Sequence, residues 1–381
     1  MEEVDFDVLI VGAGTAGCST AISLADTGLR IALIDKATFP REKVCGDGLT
    51  IDSINQLKKL SPRLAENIHH FEKKITATGC VITSTKGYRS FFNIPEIQRP
   101  YIIQRIYFDN ELLNECKNYH NIRVFENTRL SKISISDQQV SLETSGGHFS
   151  GKILVGADGV NSLIAKFINP DKPKETLYGV SVRAYFSNVQ DDDYQNVIEI
   201  HYLKSLIPGY FWIFHMHNNL RNVGLGIDER MMKKNGLNLS EVFHDIINNH
   251  PRFKDRFKNA TMQGDLKAHR ISAFNRYRHI YGNRVLLAGD AANLLNPLSG
   301  EGVGNALRSG RFAAEHIKKC FAANDFSKDF NRNYYKKIKR TMFPELTRHG
   351  LLAILNKKEW LSNYALKHNS LLNRFIRALV K

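Results

Sequence analysis

Three glycine-bearing segments, far apart in a chain of 381 residues, have the types and spacing to hold a charged ligand on backbone alone. They are Gly12-Ala13-Gly14-Thr15-Ala16-Gly17, Gly156-Ala157-Asp158-Gly159 and Gly289-Asp290, the last followed by Asn296-Pro297-Leu298-Ser299-Gly300-Glu301-Gly302. Gly12 permits a tight turn after a strand, Gly14 lets backbone approach a pyrophosphate, and Gly17 lets the next helix pack closely. That helix then turns free N–H groups and a positive dipole end toward phosphates. Asp35, about twenty residues on, is placed to accept hydrogen bonds from ribose hydroxyls. Each segment alone is ordinary, since Asp158 and Gly159 suit any strand-to-helix turn and Asp290 suits a helix cap. Together, each at a predicted strand end, they point to one flavin dinucleotide and narrow the chemistry to redox.

The third segment carries a second electrostatic argument. Asp290 closes the strand before it, where a carboxylate could hold a ribityl hydroxyl. A helix beginning near Gly302, with Val303 in its first turn, would aim its positive end at the flavin pyrimidine edge, where reduced flavin carries negative charge. Gly300, Gly302 and Gly304 keep that loop free of side-chain bulk. Thr15, Ala16, Lys36, Gly46 and Pro297 complete the expected cofactor contacts. Cys45 lies in a polar loop between Pro40 and Thr50, flanked by Gly46 and Gly48, so it could run close over the ring system. A thiol is mostly protonated at neutral pH and could donate a proton there. The alternative reading of Cys45 is a small buried loop residue. Asp47 could relay the proton, position the thiol or cap the following turn.

The elements that must position these residues read as an α/β chain. Residues 6–11 predict a buried strand, Thr15 to Thr27 a helix closed by Gly28, and Arg30 to Asp35 a second strand: a βαβ start. Helices are predicted near Asp52–Leu60, Tyr107–Asn118, residues 240–258 and Gly302–Cys320. Strands are predicted within residues 75–100, at Ile122–Phe125, Leu130–Ser136, Val140–Thr144, Lys152–Ala157 and Arg284–Ala288, with a hairpin turn at Gly146-Gly147. Residues 176–228 alternate and are rich in aromatics, which predicts an antiparallel sheet. We therefore expect a Rossmann-like dinucleotide-binding domain over 1–74, 101–175 and 271–330. Interleaved with it is an antiparallel-sheet substrate domain over 75–100 and 176–270, and a helical basic segment follows over 331–381.

Composition bounds the rest. Hydrophobic content of 43% and charged content of 24% are those of a globular protein, at a length that suits two domains. The stretch from Val8 to Ala25 is apolar but too short and too broken by glycine to span a membrane. Five cysteines show neither a C-x-x-C pair nor zinc spacing, and no metal is expected. With an acidic start, Met1-Glu2-Glu3, they suggest a reduced cytoplasmic protein. The net charge is +15, and residues 331–381 hold twelve lysines and arginines against Glu345 and Glu359, which is +10 of it. Mixed with Phe343, Leu346, Leu351, Leu352, Ile354, Trp360 and Leu371, this suits docking on an anionic membrane face. It suits equally a packed helical tail with a solvated basic side. No nucleic-acid motif accompanies the charge, so nucleic acid is not the expected partner.

The chain resembles the geranylgeranyl reductase family of flavoproteins, which share the fold of aromatic hydroxylases such as p-hydroxybenzoate hydroxylase. The likeness spans nearly all of residues 5–320. It is carried by Asp7 to Gly17, Phe39-Pro-Arg-Glu-Lys-Val-Cys-Gly-Asp-Gly-Leu, Gln104-Arg105 with Phe108-Asp109, Gly156-Ala-Asp-Gly, Pro208-Gly-Tyr-Phe-Trp-Ile-Phe, Asn222-Val-Gly-Leu-Gly and Gly289-Asp-Ala-Ala. The Cys45-Gly46-Asp47-Gly48 form is similar to bacterial prenylquinone reductases, where many others have Cys-Gly-Gly. The resemblance implies FAD and saturation of isoprenoid double bonds in a prenyl lipid, a geranylgeranyl group or a prenylquinone side chain. It implies that Arg105 contacts the cofactor and that Gly48, Tyr210, Trp212 and Phe214 line an apolar substrate tunnel. Where the family has Trp-x-Phe-Pro-Lys, this chain has Trp212-Ile213-Phe214-His215-Met216. The rival readings are an aromatic hydroxylase or halogenase of the same fold, and a flavin-bearing protein that acts through its tail on membrane or nucleic acid. Halogenases of this type carry Trp-x-Trp-x-Ile-Pro, of which only Trp212 is present. No second dinucleotide fingerprint is visible, so NAD(P)H, ferredoxin or a quinol would all fit as electron donor, and the oligomeric state stays open.

Overall fold

A computed structural model describes residues 3–170, 178–190 and 194–355, and positions 359, 363, 364 and 367. Its organising element is a six-stranded sheet in the order Tyr281–Gly282, Val285–Leu287, Ile153–Gly156, Val8–Val11, Ile31–Ile34, Ile122–Phe125. All neighbours in it are parallel except the first pair. The four central strands are buried at every position, as a parallel sheet covered on both faces requires, so they read as apolar runs, Val, Ile and Leu but for Ala32 and Gly156. The expected first helix is Thr15–Ser23, and a short helical turn, Ala25–Thr27, carries the chain to Gly28 in the left-handed conformation. The helix expected from Gly302 runs Val303–Ala323 and packs along Thr15–Ser23. A four-stranded sheet (Glu3–Asp5, Gly147–Gly151, Val140–Thr144, Leu130–Ile135) and a small three-stranded one (Gly48–Leu49, Tyr101–Ile103, Lys74–Thr76) complete this part.

The second large sheet has seven strands, in the order Thr261–Ser272, Tyr178–Ser187, Arg221–Asp228, Tyr210–His215, Val197–His201, Gly79–Thr83, Arg89–Asn93. Alternation predicted it as antiparallel, and it is so at every joint but one. Val197–His201 and Gly79–Thr83 run parallel, because the hairpin 79–93 arrives from an earlier stretch of chain. One face packs Phe211, Ile213, Val223 and Leu225 against Phe243, Ile246 and Phe253 of the helical stretch after Leu239. Inside this layer Glu199 accepts two 2.8 Å bonds from Arg256, with His201 and His215 at 3.1 and 3.3 Å. Burial opposes the Glu199 charge, yet Arg256 and the two imidazoles overcome it and hold the carboxyl well below the usual range.

Removing the carboxylate from such a cluster costs about 3–5 kcal/mol, because the buried Arg256 loses its two bonds to Glu199. Glu199→Gln is therefore expected to lower the melting temperature by on the order of 5–10 °C. A melt within about 1 °C of wild type would show that the cluster contributes nothing to stability. The pH dependence has a definite sign. Burial pushes His201 below 6.5, so acidification charges the unfolded chain first, and Glu199 resists protonation that the unfolded chain accepts near 4.5. The cluster's stabilisation is present at neutral pH and is lost stepwise as pH falls from these two values through the lower pKa values that the folded groups hold.

The basic C-terminal stretch divides. Helix Lys328–Thr341 buries Tyr334 and Ile338, Met342 and Leu346 continue that stripe at i, i+4 spacing, and Tyr334 donates to the Leu287 carbonyl at 2.7 Å. Lys336, Lys339 and Arg340 face solvent. Up to about residue 350 the tail is thus a pair of packed helices with a solvated basic side. Leu351 and Ile354, at the end of helix Phe343–Leu355, are exposed. Trp360, Leu371 and most of the remaining amphipathic residues lie outside the described residues. No helix among the described residues is long and apolar enough to cross a membrane.

Candidate cofactor and active site

The parallel register sets the end of Val8–Val11 beside that of Ile153–Gly156, and this beside Val285–Leu287: Val11 pairs with Gly156 and Gly156 with Leu287. All three glycine segments therefore leave the sheet at one edge, the carboxyl end where open α/β sheets bind ligands. Gly12 has φ +103°, and a Cβ there would collide with the Ala157 carbonyl of the second segment. A Cβ on Gly17 would collide with the Gly12 carbonyl, and one on Gly289 would reach within 2.9 Å of Ala16. Each segment is thus fitted against another with no room for a methyl group. Thr15, Ala16 and Val303 are buried in this junction.

Charges are then fixed around the turn. Arg105 is buried and donates to Asp109 through Nε and Nη2 at 2.8 and 2.6 Å, and through Nη2 to the Thr15 hydroxyl at 3.1 Å. Burial works against its charge, but Asp109 and then the Cys45 side chain raise its pKa above the ordinary value. Asp109 also pairs with Arg41 at 3.1 Å, which brings a second guanidinium to the turn. A Cβ on Gly14 would meet only that guanidinium, at 3.5 Å, and no side chain caps the helix that Gly14 begins. Asp35 accepts from the Ala13 and Ala37 N–H groups at 2.7 and 2.8 Å, so it shapes the loop while each oxygen keeps a lone pair. Asp158 spends Oδ2 on the Leu163 N–H, while Oδ1 is buried without a partner, and burial raises its pKa. Gly159, with φ +79°, faces open space. Asp290 stands 3.6 Å from Lys43, and Lys36 is exposed.

The Cys45–Gly48 loop crosses from this cradle to the seven-stranded sheet. A Cβ on Gly46 would lie 3.0 Å from the Phe214 ring, and one on Gly48 4.0 Å from it. Cys45 is half-buried and Asp47 fully buried, the latter with φ +64°. Asp47 accepts from the Tyr185 hydroxyl at 2.7 Å, the Asn222 amide at 2.8 Å and the Arg105 backbone N–H at 3.1 Å. Burial raises its pKa, with Arg183, Tyr185 and Asn222 pulling the other way. Tyr210, Trp212 and Phe214 share one face of the sheet, with neighbouring rings 6.0 and 6.3 Å apart. Trp212 lies across Gly224, where any Cβ would collide with the indole, which explains the glycine in Asn222-Val-Gly-Leu-Gly. The Tyr210 hydroxyl donates to the Ser299 carbonyl at 3.0 Å, joining this wall to the third segment, where Gly300 has φ +72°. Glu301 accepts from the Gly304 N–H at 2.6 Å, so that helix's positive end is partly used by its own carboxylate. Beyond the loop, Asn296 meets His349 of the tail helix at 2.8 Å, and Pro297 lies against Gly350.

The structure thus gathers the glycine segments, Arg105, Cys45 and the aromatic wall. Arg41, Asp109, Arg183, Tyr185 and Asn222 were not singled out as site residues. Arg41, Asp109 and Asn222 sit inside the motifs quoted above, so their place was visible although their role was not. Arg183 and Tyr185 lie in an alternating strand whose site face was undefined.

The chain's residues fit a flavin dinucleotide: a glycine cradle, an uncapped helix end, two guanidinium groups on a buried carboxylate and an orphaned Asp158 oxygen. With the aromatic wall beside it, this fold defines a flavin-dependent oxidoreductase. The chain matches the FAD binding domain family over residues 5–314 and belongs to it. It is similar to a menaquinone reductase of Mycobacterium tuberculosis, 29% identical over 318 residues, covering 81% of this chain and 76% of that protein. It is also similar to a digeranylgeranylglycerophospholipid reductase of Methanocaldococcus jannaschii, 27% identical over 361 residues, covering 90% and 85%. Among solved structures, a geranylgeranyl bacteriochlorophyll reductase-like protein from Thermoplasma acidophilum superposes with TM-score 0.80 at 21% identity, covering 94% and 89%. The flavin-dependent brominase Bmp2 superposes with TM-score 0.77 at 21% identity, covering 99% and 94%, so the fold is shared with halogenases.

Proposed function

We propose that this enzyme saturates isoprenoid C=C bonds of a prenyl lipid, a geranylgeranyl group or a prenylquinone side chain. The observation that carries the reading is the Cys45 loop, set between the buried Arg105 guanidinium and the Phe214 end of an apolar aromatic wall. An isolated alkene has no carbonyl to polarise, so its π bond gives way to two C–H bonds, one from hydride and one from a proton. The glycine cradle with Thr15 and Arg105 would hold FAD, whose reduced form would supply the hydride. The Cys45 thiol supplies the proton, and Arg105 beside it compensates the thiolate left behind until solvent returns a proton. Tyr210, Trp212 and Phe214 hold the prenyl chain by apolar contact and exclude water.

Anaerobic incubation of the dithionite-reduced enzyme with menaquinone, geranylgeranyl diphosphate and a prenylated glycerolipid tests this. Mass spectrometry, after reoxidation of any quinol in air, should show H2 added to the prenyl chain of at least one of them. Absence of any gain, together with oxygen uptake coupled to NAD(P)H and an aromatic substrate in a parallel aerobic assay, would favour the hydroxylase reading instead.

A further inference from the structure

We infer that Asn222 is a positioning residue that fixes the Cys45 thiol relative to the Trp212 wall. The inference rests on the reductase reading above. Asn222 is fully buried and uses both ends of its amide. Its Oδ1 accepts from the Trp212 indole N–H at 2.9 Å. Its Nδ2 donates to the Cys45 carbonyl and to Asp47 Oδ2, both at 2.8 Å. One side chain therefore joins the indole on which a prenyl chain would lie to the backbone that carries the proposed acid.

The partners are themselves held. Trp212 cannot shift across Gly224 without losing its seat, and Asp47 is fastened by Tyr185 and the Arg105 backbone N–H. Arg183 is buried, stacks over the Tyr185 ring at 4.0 Å and keeps a positive field on Asp47. Asp47 has φ +64°, a conformation that glycine adopts without strain, so Asp47→Gly removes the carboxylate and spares the backbone. Asp47 and Asn222 form one clamp on the loop that carries Cys45.

Two variants and their combination test the clamp, with FAD-loaded protein and whichever of the three prenyl probes wild type reduces best. Asn222→Leu should retain FAD absorbance, lose about 30-fold in kcat while KM changes less than about threefold, and let iodoacetamide alkylate Cys45 several-fold faster. Asp47→Gly should lose about as much, and the double variant no more than either alone, since both cut the same clamp. Asn222→Asp guards against a folding artefact. The introduced carboxyl still accepts from Trp212 but faces Asp47, beside Tyr185, Arg183 and Arg105. Protonation restores its donor, so kcat should recover toward wild type as pH falls, which a merely structural role does not produce. Near wild-type kcat in Asn222→Leu, losses that multiply in the double variant, or no acid recovery in Asn222→Asp would overturn the inference. If wild type reduces none of the probes, the reductase reading fails, and unchanged alkylation of Cys45 in Asn222→Leu would separately refute the clamp.

Discussion

Cys45→Ala, loaded with FAD and reduced, is expected to saturate its prenyl substrate at least about a hundredfold more slowly than wild type, the range of a lost general acid. Flavin content should not change. Cys45 is half-buried at the rim of the cradle, whereas the cradle itself is built from backbone and from Arg105, Asp109 and Thr15. Hydride addition alone would leave an unquenched carbanion on the neighbouring carbon, so the rate should fall in the step that delivers the proton. Cys45→Ser nearly keeps the size, but an alcohol is a far weaker acid, so it should rescue little. Single-turnover flavin reoxidation, followed in the visible band with and without substrate, separates this from impaired binding. Turnover of Cys45→Ala within about threefold of wild type would remove the thiol from the mechanism.

The second large effect concerns the glycines, which differ in a way that motif matching hides. A Cβ at Gly17 collides with the Gly12 carbonyl within the protein itself, so Gly17→Ala should damage folding as well as flavin retention. Gly14 is another case, because its Cβ position is clear of everything but the Arg41 guanidinium at 3.5 Å. Gly14→Ala should therefore fold as wild type by circular dichroism yet bind FAD on the order of 100-fold more weakly, about 2.7 kcal/mol, because the methyl occupies the approach of the pyrophosphate. Equilibrium dialysis of apoprotein with FAD measures it. Wild-type affinity in a well-folded Gly14→Ala protein would mean that no ligand approaches that backbone.

The legibility of these features in the sequence follows from their physics. Gly12, Gly17 and Gly289 could be read directly because the demand they answer, absence of a side chain, is local and leaves a glycine behind. The buried strands were legible for a similar reason, since burial on both faces erases alternation. Asn222 and Asp47 were harder. Their roles come from a pairing across 175 residues, and nothing near either one in sequence reveals the other. Asp158 was read as a cofactor ligand, and the structure shows one of its oxygens capping a helix, which composition could not separate. The tail was weighed by its charge, whereas Tyr334, Ile338, Met342 and Leu346 already spelled out a buried stripe. The parallel joint between Gly79–Thr83 and Val197–His201 was invisible, because alternation reports which face is buried and says nothing of strand direction.

The edge-to-edge order of the six-stranded sheet has a consequence for how the protein is made. Val8–Val11 leaves the ribosome early with its neighbour Ile31–Ile34, but Ile153–Gly156 follows much later and Val285–Leu287 later still. At about 5–20 residues per second, the roughly 270 residues separating the first of these strands from the last take roughly 15 to 55 s to synthesise. Through that interval the nascent chain carries an apolar strand with an unclaimed hydrogen-bonding edge, an invitation to mispairing and to chaperone capture. Coexpression with a trigger-factor-type holdase should thus raise the yield of yellow protein more than adding riboflavin to the medium does.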